Sequence, residues 1–370
     1  MSYESSGMNI PNLSTGAVVD LLCRLYCGAV REGIPLKSLP TPFLWGAPGI
    51  GKSEGVDQLA GRMAESLGLK VNVSIVHLLL LSPVDMRGVP VADEHREYTV
   101  WLKPLIFKMD PSKDVINIIF LDELSASPQS MQAAAYQITL DRRIGEHVLP
   151  DNCIVIAAGN RTTDQSVAYK MPKALYNRLM HFAIRSDYES WKKWAIENDI
   201  DRRIIGFVGF NRSRLCTEPD SADLAYPTPR SWSFVNTVIK ATGCGDSLIP
   251  CHEFISGCVG IDTAIEFERW CAVYRNLPST DEIFAGTCRT YPKKQDELYA
   301  LTSGLAAELI KRSASVRVTE LENVCAYASR FPADYAMSFF SEINADETLS
   351  LKLLKCRAFA QWIAKTKTHF

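Results

Sequence analysis

The segment GAPGIGKS, residues 46–53, places three glycines, a lysine and a serine at the spacing of a phosphate-binding loop. Its glycines allow backbone N–H groups to turn toward phosphate oxygens at the start of a helix, where the helix dipole favours anions. Lys52 would reach the β- and γ-phosphates of a nucleotide, and the Ser53 hydroxyl would ligate Mg²⁺. The candidate nucleotide-binding residues here are Gly46, Ala47, Pro48, Gly49, Ile50, Gly51, Lys52, Ser53 and Glu54.

A second motif, VINIIFLDE at residues 115–123, supplies the carboxylates that such a site needs. The apolar run predicts a buried strand that ends at Asp122, which can hold Mg²⁺ together with Ser53. Glu123 would then polarise a water for attack on the γ-phosphate. The alternative is that the two acidic residues only cap the next turn, but an Asp-Glu pair downstream of a phosphate-binding loop favours the catalytic interpretation.

A third apolar run, IVIAAGN, ends at Asn160. The Asn160 amide can donate and accept hydrogen bonds, so it can orient the attacking water or contact the γ-phosphate. An asparagine after a strand is otherwise a common turn residue. Its significance comes from being the third polar group at a predicted strand end.

The elements that position these residues alternate between strand-length apolar runs and helical segments. The predicted strands are Pro42–Trp45, Val71–His77, Val115–Leu121, Ile154–Ala158 and His181–Ile184, and the predicted helices are Ser53–Leu67, Pro128–Leu140 and Pro172–Leu179. Uninterrupted apolar strands indicate burial on both faces, hence an α/β fold in which helices cover both faces of a parallel sheet.

The chain is long enough for more than one domain. We predict an N-terminal helical segment at residues 1–38, an α/β nucleotide-binding core at 39–187, and a helical lid and C-terminal region at 188–370. Residues 83–104 read as a hairpin inserted in the core, with arms GVPVA and EYTVWL around the polar tip DEHR. Helices are predicted in the last region near 189–197, 231–241, 262–275, 295–311 and 349–365.

Together these motifs resemble the AAA+ ATPases, a family of P-loop NTPases, and most of all their MoxR branch. The motifs that carry the resemblance are GAPGIGKS (46–53), SPVDMRGVP (82–90), FLDEL (120–124), AAGNRTTD (157–164), ALYNRLMHF (174–182) and YPTPRSW (226–232). They occur in the order of that family and span roughly residues 35–240.

The resemblance implies ATP and Mg²⁺ as cofactors and a role for each polar residue. Asn160 would be sensor 1, and Arg230, at the start of a lid helix, would be sensor 2. Arg178 matches the arginine finger, which would stabilise transition-state charge at the neighbouring subunit and so implies a ring, usually a hexamer. Alternatively, Arg178 is a helix C-terminal residue and Arg230 a surface residue. Rival fingers are Arg142, Arg143 and Arg161.

The inserted hairpin resembles the insert that lies near the central pore of such rings. Trp101 and Tyr98 could contact a client protein there, or they could form the hairpin's own cross-strand packing.

The function that the resemblance implies is ATP hydrolysis in a homo-oligomeric ring, coupled to chaperone-like remodelling, assembly or metal-loading of a partner protein. Members of the branch often work with a partner that carries a von Willebrand factor A-like domain. The alternatives are a GTPase subunit of a nucleic-acid restriction system, a P-loop kinase, and a binding module without catalysis. The absence of an N-K-x-D guanine signature disfavours the GTPase.

The composition of the chain bears on its partners and its cellular compartment. A net charge of −2 over 370 residues gives no electrostatic reason to expect nucleic acid or a membrane as the main partner. Eleven scattered cysteines without a CxxC pair indicate thiols in a reducing compartment. The loose group of Cys244, Cys251, His252 and Cys258 matches no zinc spacing. The first residues lack the layout of a signal peptide, so we expect a cytoplasmic protein.

Overall fold

The computed structural model describes residues 9–161, 171, 173–220, 223–243, 251–274 and 276–366. The chain divides into two compact units, residues 1–187 and 188–370.

The first unit contains a six-stranded parallel sheet and two small antiparallel hairpins. Its strands are β1 (Asn12–Ser14), β2 (Thr41–Trp45), β3 (Lys70–His77), β4 (Val89–Ala92), β5 (Thr99–Leu102), β6 (Val115–Asp122), β7 (Arg143–Ile144), β8 (His147–Val148), β9 (Cys153–Gly159) and β10 (Leu179–Arg185). The order across the sheet is β1-β10-β2-β9-β6-β3, and every neighbouring pair is parallel. The carboxyl ends of all six strands therefore meet at one edge, which we call the carboxyl edge.

Helices cover both faces of this sheet. They are α1 (Thr15–Arg31), α2 (Lys52–Leu67), α3 (Pro83–Arg87), α4 (Gln129–Asp141) and α5 (Lys173–Tyr176). On one face, Phe43 and Val155 share a core with Ile138 of α4. On the other face, Leu44 and Ile184 line a small cavity with residues of α1 and α2. Because alternate strand residues point to opposite faces, the strands inside a sheet covered on both sides are buried along their length, as β2 and β9 are here, whereas the outer strand β3 carries polar residues and is mostly half-buried or exposed.

The predicted fold class is confirmed: the first unit is an α/β parallel sheet with helices on both faces, and a helical region follows it. The inserted hairpin is β4 and β5, which pair antiparallel after the short helix α3. Two details were wrong. The N-terminal segment is more than a helix, because β1 pairs with β10 at the sheet edge. The helix predicted to reach Leu179 ends at Tyr176, and Leu179 begins β10; its predicted first residue, 172, lies outside the described residues.

The second unit consists, in its described part, of helices and loops. The helices are α6 (Tyr188–Glu197), α7 (Arg202–Phe210), α8 (Pro229–Thr242), α9 (His252–Val259), α10 (Ile261–Tyr274), α11 (Thr280–Ala285), α12 (Gln295–Lys311), α13 (Val318–Ala328), α14 (Ala333–Asn344), α15 (Glu347–Leu353) and α16 (Arg357–Thr366). One core is built around Trp232 and Phe267, and a second around Phe339 and Phe340. Helix α12 contributes to both, which makes it the shared element of the unit.

One helix prediction in this unit fails. Residues 349–365 form two helices, α15 and α16, instead of one. The Glu322 carboxylate of α13 accepts the backbone N–H groups of Arg357 and Ala358, at 2.9 and 2.8 Å. It therefore satisfies donors at a helix start, as a capping side chain does. Because this cap comes from a distant part of the chain, helical periodicity could not reveal it.

Cysteine chemistry follows the prediction only in part. Cys27, Cys153 and Cys325 are buried thiols, whereas Cys251 is disulfide-bonded, so the expectation of thiols throughout is wrong there. Residue 244 lies outside the described residues, and no three His, Cys, Asp or Glu side chains among the described ones gather as a metal site. In the same part of the chain, no helix combines the length and apolar character that crossing a bilayer requires.

Candidate active site

The candidate phosphate-binding loop connects the end of β2 to the start of α2 at the carboxyl edge. Gly49 and Gly51 have φ values of 79° and 96°, a backbone conformation that favours glycine. Helix α2 begins at Lys52, its N-cap residue Gly51 offers no side-chain hydrogen bond, and Glu54 lies in its first turn. Gly51 has no side chain that could cap the first N–H groups of α2, which suits an anion-binding helix start. Of the residues predicted to bind nucleotide, 46–51 form this connection, and Lys52, Ser53 and Glu54 lie in the first turn of α2.

Lys52 lies at the centre of this arrangement. Its ammonium donates hydrogen bonds to the carbonyl oxygens of Gly46 and Ala47, at 2.6 and 3.0 Å, and to Asn160 Oδ1 at 3.0 Å. The loop also attaches to β9, because the Gly46 N–H donates to the Gly159 carbonyl at 3.1 Å. Two of the predicted site residues, Lys52 and Asn160, are therefore in direct contact although they are far apart in sequence.

The two predicted metal ligands also meet. The Ser53 hydroxyl donates to Asp122 Oδ2 at 3.3 Å. A hydroxyl and a carboxylate are hard oxygen donors of the kind that Mg²⁺ prefers, in a site that phosphate oxygens and water would complete. The residues present therefore fit the implied ion.

A histidine that sequence reasoning missed lies beside this pair. His77, the last residue of β3, stands opposite Asp122 in the strand register, with its Nδ1 at 3.9 Å from Asp122 Oδ2. Half of its side chain is exposed. The sequence did contain a signal for His77, because it is the last residue of the predicted strand 71–77 and so lies at the same edge as Asp122. Only the strand order, however, shows that β3 and β6 are neighbours.

Glu123 adopts a left-handed backbone conformation, with φ 61° and ψ 30°. Such a conformation is uncommon for a residue with a Cβ, and it occurs often at functional sites. It is held by local bonds: the Glu123 N–H donates to Asp122 Oδ1 at 2.9 Å, and the Ser127 hydroxyl donates to the Glu123 carbonyl at 2.9 Å. The Glu123 side chain is only half-buried, so it can meet water.

Asn160 is fixed by Ser125, a second residue that sequence reasoning missed. The Ser125 hydroxyl accepts the Asn160 N–H at 2.9 Å and donates to the Asn160 carbonyl at 3.0 Å. Ser125 is 2% exposed. The two loops can approach this closely because residue 159 is glycine: a Cβ there would lie 2.5 Å from Ser125 Oγ. Ser125 therefore joins the segment after Glu123 to the residue that contacts Lys52.

Arg178 lies away from these groups. It precedes Leu179, which pairs with Thr41 at the start of β2, whereas the phosphate-binding loop follows Trp45 at the end of that strand. At 3.3 Å per residue the two strand ends are about 13 Å apart. The Arg178 side chain is exposed, with its guanidinium 4.8 Å from the centre of the Tyr136 ring.

The three rival arginines differ in accessibility. Arg142 is 8% exposed and donates to the Leu39 carbonyl at 2.8 Å, and burial lowers the pKa of its guanidinium. It is therefore not available to a neighbouring molecule. Arg161 donates to the Ile184 carbonyl at 2.7 Å. Arg143, in β7, is exposed.

Two further predictions concern the lid and the hairpin. Arg230 is the second residue of α8, whose start is capped by Thr228, and its side chain is exposed. In the hairpin, the Arg87 guanidinium lies 4.0 Å from the Trp101 ring centre, so Trp101 packs within its own chain. Tyr98, by contrast, is 71% exposed. The motif residues 162–164 lie outside the described residues.

Comparison with known proteins gives only distant likenesses. No family model and no curated protein matches the chain. Among solved structures, it is similar to RuvB from Thermotoga maritima, at 16% identity and a TM-score of 0.36 over 83% of this chain and 87% of that one. It is also similar to a candidate ATPase from Cytophaga hutchinsonii, at 15% identity and a TM-score of 0.33 over 88% and 89% of the two chains. For NtrX from Brucella abortus the identity is 12% and the TM-score 0.29, over 88% and 70%. Likenesses this distant carry no inference about activity.

Proposed function

We propose that this chain is an AAA+ ATPase of the MoxR type that hydrolyses Mg²⁺-ATP. The observation that carries the proposal is the meeting of Lys52, Ser53, Asp122, Glu123 and Asn160 at the carboxyl edge of one parallel sheet. A phosphate-binding loop alone would hold a nucleotide. The added carboxylate pair and amide supply what hydrolysis needs, namely a place for the metal and a group that activates water.

Each residue has a distinct part in the proposed reaction. Lys52 and the first N–H groups of α2 bind the phosphates, where the Lys52 ammonium exchanges carbonyl acceptors for phosphate oxygens. Ser53 and Asp122 would hold Mg²⁺, which when bound neutralises phosphate charge. Glu123 accepts a proton from the attacking water, and its constrained backbone limits where its carboxylate can point. Asn160, held by Ser125, orients the water or the γ-phosphate.

The finger role proposed for Arg178 requires a second subunit. Arg178 lies at the opposite end of the strands from its own phosphate-binding loop, so it would act at the site of a neighbour. A guanidinium supplied in this way is worth about 10³-fold or more in turnover. Its exposure supports this role, and the burial of Arg142 leaves fewer rivals. We therefore propose a ring of identical subunits, in which Arg230 of the lid acts as sensor 2.

The partner of the ring is proposed on the resemblance and on the exposed hairpin. Tyr98 is 71% exposed and Leu105, just after the hairpin, is 80% exposed. Apolar groups of this size at a projecting segment suit contact with another protein. We propose that the energy of hydrolysis remodels, assembles or metal-loads a partner protein, with a von Willebrand factor A-like protein as the expected companion.

Competition binding and light scattering test this proposal. With labelled Mg²⁺-ATP on the protein, unlabelled ATP should displace the label at lower concentration than GTP. The scattering mass should rise to a multiple of the 41.2 kDa chain when ATP is present. Preferential displacement by GTP would support the GTPase alternative. The proposed ring would be contradicted if the protein stayed monomeric at every nucleotide concentration while it hydrolysed ATP at a rate that does not depend on protein concentration.

A further inference from the structure

We propose that His181 is a positioning residue that fixes Arg178 and connects it to the strand that ends at the phosphate-binding loop. The inference rests on the proposed function, because it concerns the arginine that would act in the neighbouring site. It is carried by a column of three aromatic side chains in the first unit: Trp45 of β2, His181 of β10 and Tyr176 of α5.

Two hydrogen bonds run through His181. The Trp45 indole N–H donates to His181 Nδ1 at 3.0 Å, and His181 Nε2 lies 2.8 Å from the Tyr176 carbonyl oxygen. An indole nitrogen can only donate and a carbonyl can only accept. The ring must therefore accept at Nδ1 and carry its proton on Nε2, and only a neutral imidazole can form both bonds together.

Ring stacking strengthens the same column. The Trp45 and Tyr176 rings are stacked with centroids 6.1 Å apart and an interplanar angle of 18°. The His181 ring lies 6.0 Å from Trp45 and 5.8 Å from Tyr176. Trp45 is 7% exposed, so this end of the column is held in the core. The Tyr176 backbone is thus tied to a rigid strand by a hydrogen bond and its side chain by stacking.

This anchor lies two residues before Arg178. The turn between them is closed by the Arg178 N–H, which donates to the Leu175 carbonyl at 3.1 Å. On its other side, the Arg178 guanidinium lies against the Tyr136 ring of α4. The position of Arg178 is therefore set by His181 through the backbone and by Tyr136 through the side chain. Loss of the His181 bonds should free the turn while leaving the guanidinium intact.

The column also runs along two neighbouring strands, from the carboxyl end of β2 toward the amino end of β10. Trp45 immediately precedes Gly46, the first residue of the phosphate-binding loop, and Tyr176 is the last residue of α5, shortly before β10 begins. The described contacts of one subunit thus form a continuous path between its own nucleotide site and the arginine it presents to the next subunit. Trp45 is the point at which a movement of the loop would enter this path.

Mixed oligomers provide the test. His181→Phe keeps an aromatic ring but removes both hydrogen bonds, while His181→Gln keeps one acceptor and one donor. Each variant, with Arg178→Ala as the reference, is assayed for ATP affinity and turnover, alone and mixed with Glu123→Gln. The Glu123→Gln subunit has an inactive site but an intact Arg178 and His181, so it can supply a working arginine to a neighbour.

We expect His181→Phe to bind ATP normally and to lose about tenfold or more in turnover, because a displaced catalytic group costs this much. His181→Gln should recover most of that loss. Mixing with Glu123→Gln should restore turnover at His181→Phe sites, and the same recovery is expected at Arg178→Ala sites. If His181→Phe no longer binds ATP, Trp45→Phe takes its place in the same assays, because it removes only the indole donor to His181.

The outcomes separate this inference from the proposed function. Wild-type turnover in His181→Phe, or a loss that mixing fails to restore while Arg178→Ala is restored, would overturn the inference alone. If ATP turnover does not recover when Arg178→Ala is mixed with Glu123→Gln, Arg178 does not act in the neighbouring site. That result would overturn the proposed finger role and also the inference about His181.

Discussion

Ser125→Ala is the change whose effect follows most directly from the contacts of the site. It removes the hydroxyl that accepts the Asn160 N–H at 2.9 Å and donates to the Asn160 carbonyl at 3.0 Å. Ser125 is 2% exposed and Asn160 9%, so water has little access to replace these bonds. We expect the variant to be less stable and to hold Asn160 less firmly against Lys52.

The size of the stability loss can be worked from these two bonds. A buried polar group that loses its partner costs about 1–3 kcal/mol, so a donor and an acceptor left together cost about 2–4 kcal/mol after partial relaxation. For a unit of this size, each kcal/mol lowers the midpoint by about 2–4 °C, which gives a shift of about 4–16 °C.

Differential scanning calorimetry measures this shift, on the transition that ATP stabilises. The matched control is Ser130→Ala, at an exposed position in α4. ATP turnover, measured well below the midpoint, should also fall for Ser125→Ala because Asn160 is displaced, while the control stays at the wild-type value. Equal midpoints and equal turnover in the two variants would refute the role of Ser125 in holding Asn160.

Three further predictions concern separate parts of the chain. Lys52→Ala should weaken ATP binding by about tenfold or more, since a charged hydrogen bond is worth about 1.5–3 kcal/mol; unchanged affinity in equilibrium titration would contradict the role of the loop. Gly159→Ala should lower the free energy of unfolding, measured by chemical denaturation, by about 1–3 kcal/mol, because its Cβ would lie 2.5 Å from Ser125 Oγ. Lys192→Met should lower the free energy of unfolding by about 3–5 kcal/mol, because it leaves the Glu342 carboxylate, which lies 2.6 Å from the Lys192 ammonium, without its charged partner. Burial already raises the pKa of Glu342, so its ionisation opposes folding. The Lys192→Met deficit in urea denaturation should therefore be smallest in acid and grow as pH rises through the carboxyl range and above it; a pH-independent deficit would count against the stranded charge.

The sequence was informative where function depends on local backbone and on uninterrupted burial. The loop at residues 46–53 is readable because its glycines and its helix start are consecutive in the chain. The strands that end at Asp122 and Asn160 are readable because a strand covered on both faces has no polar alternation. The meeting of Lys52 with Asn160 then follows from parallel strands sharing an edge.

The residues that were missed are those whose role depends on which elements are neighbours. Ser125 resembles any serine after a strand until β6 and β9 are known to be adjacent. His77 gains its place beside Asp122 only from the register of β3 with β6. The sequence offers Arg142 as a rival arginine finger, yet packing buries it. In the helical unit, Glu322 of α13 caps α16, so the start of α16 is set by tertiary contact rather than by periodicity.

The central claim is hydrolysis at this site with Glu123 as the base, and one measurement tests it most directly. Phosphate release from Mg²⁺-ATP is compared between the wild-type protein and Glu123→Gln, with ATP affinity measured on both. The predicted result is similar affinity and a fall in turnover of about 10²-fold or more. Unchanged turnover in Glu123→Gln, or no phosphate release by the wild-type protein at any concentration at which subunits associate, would contradict it.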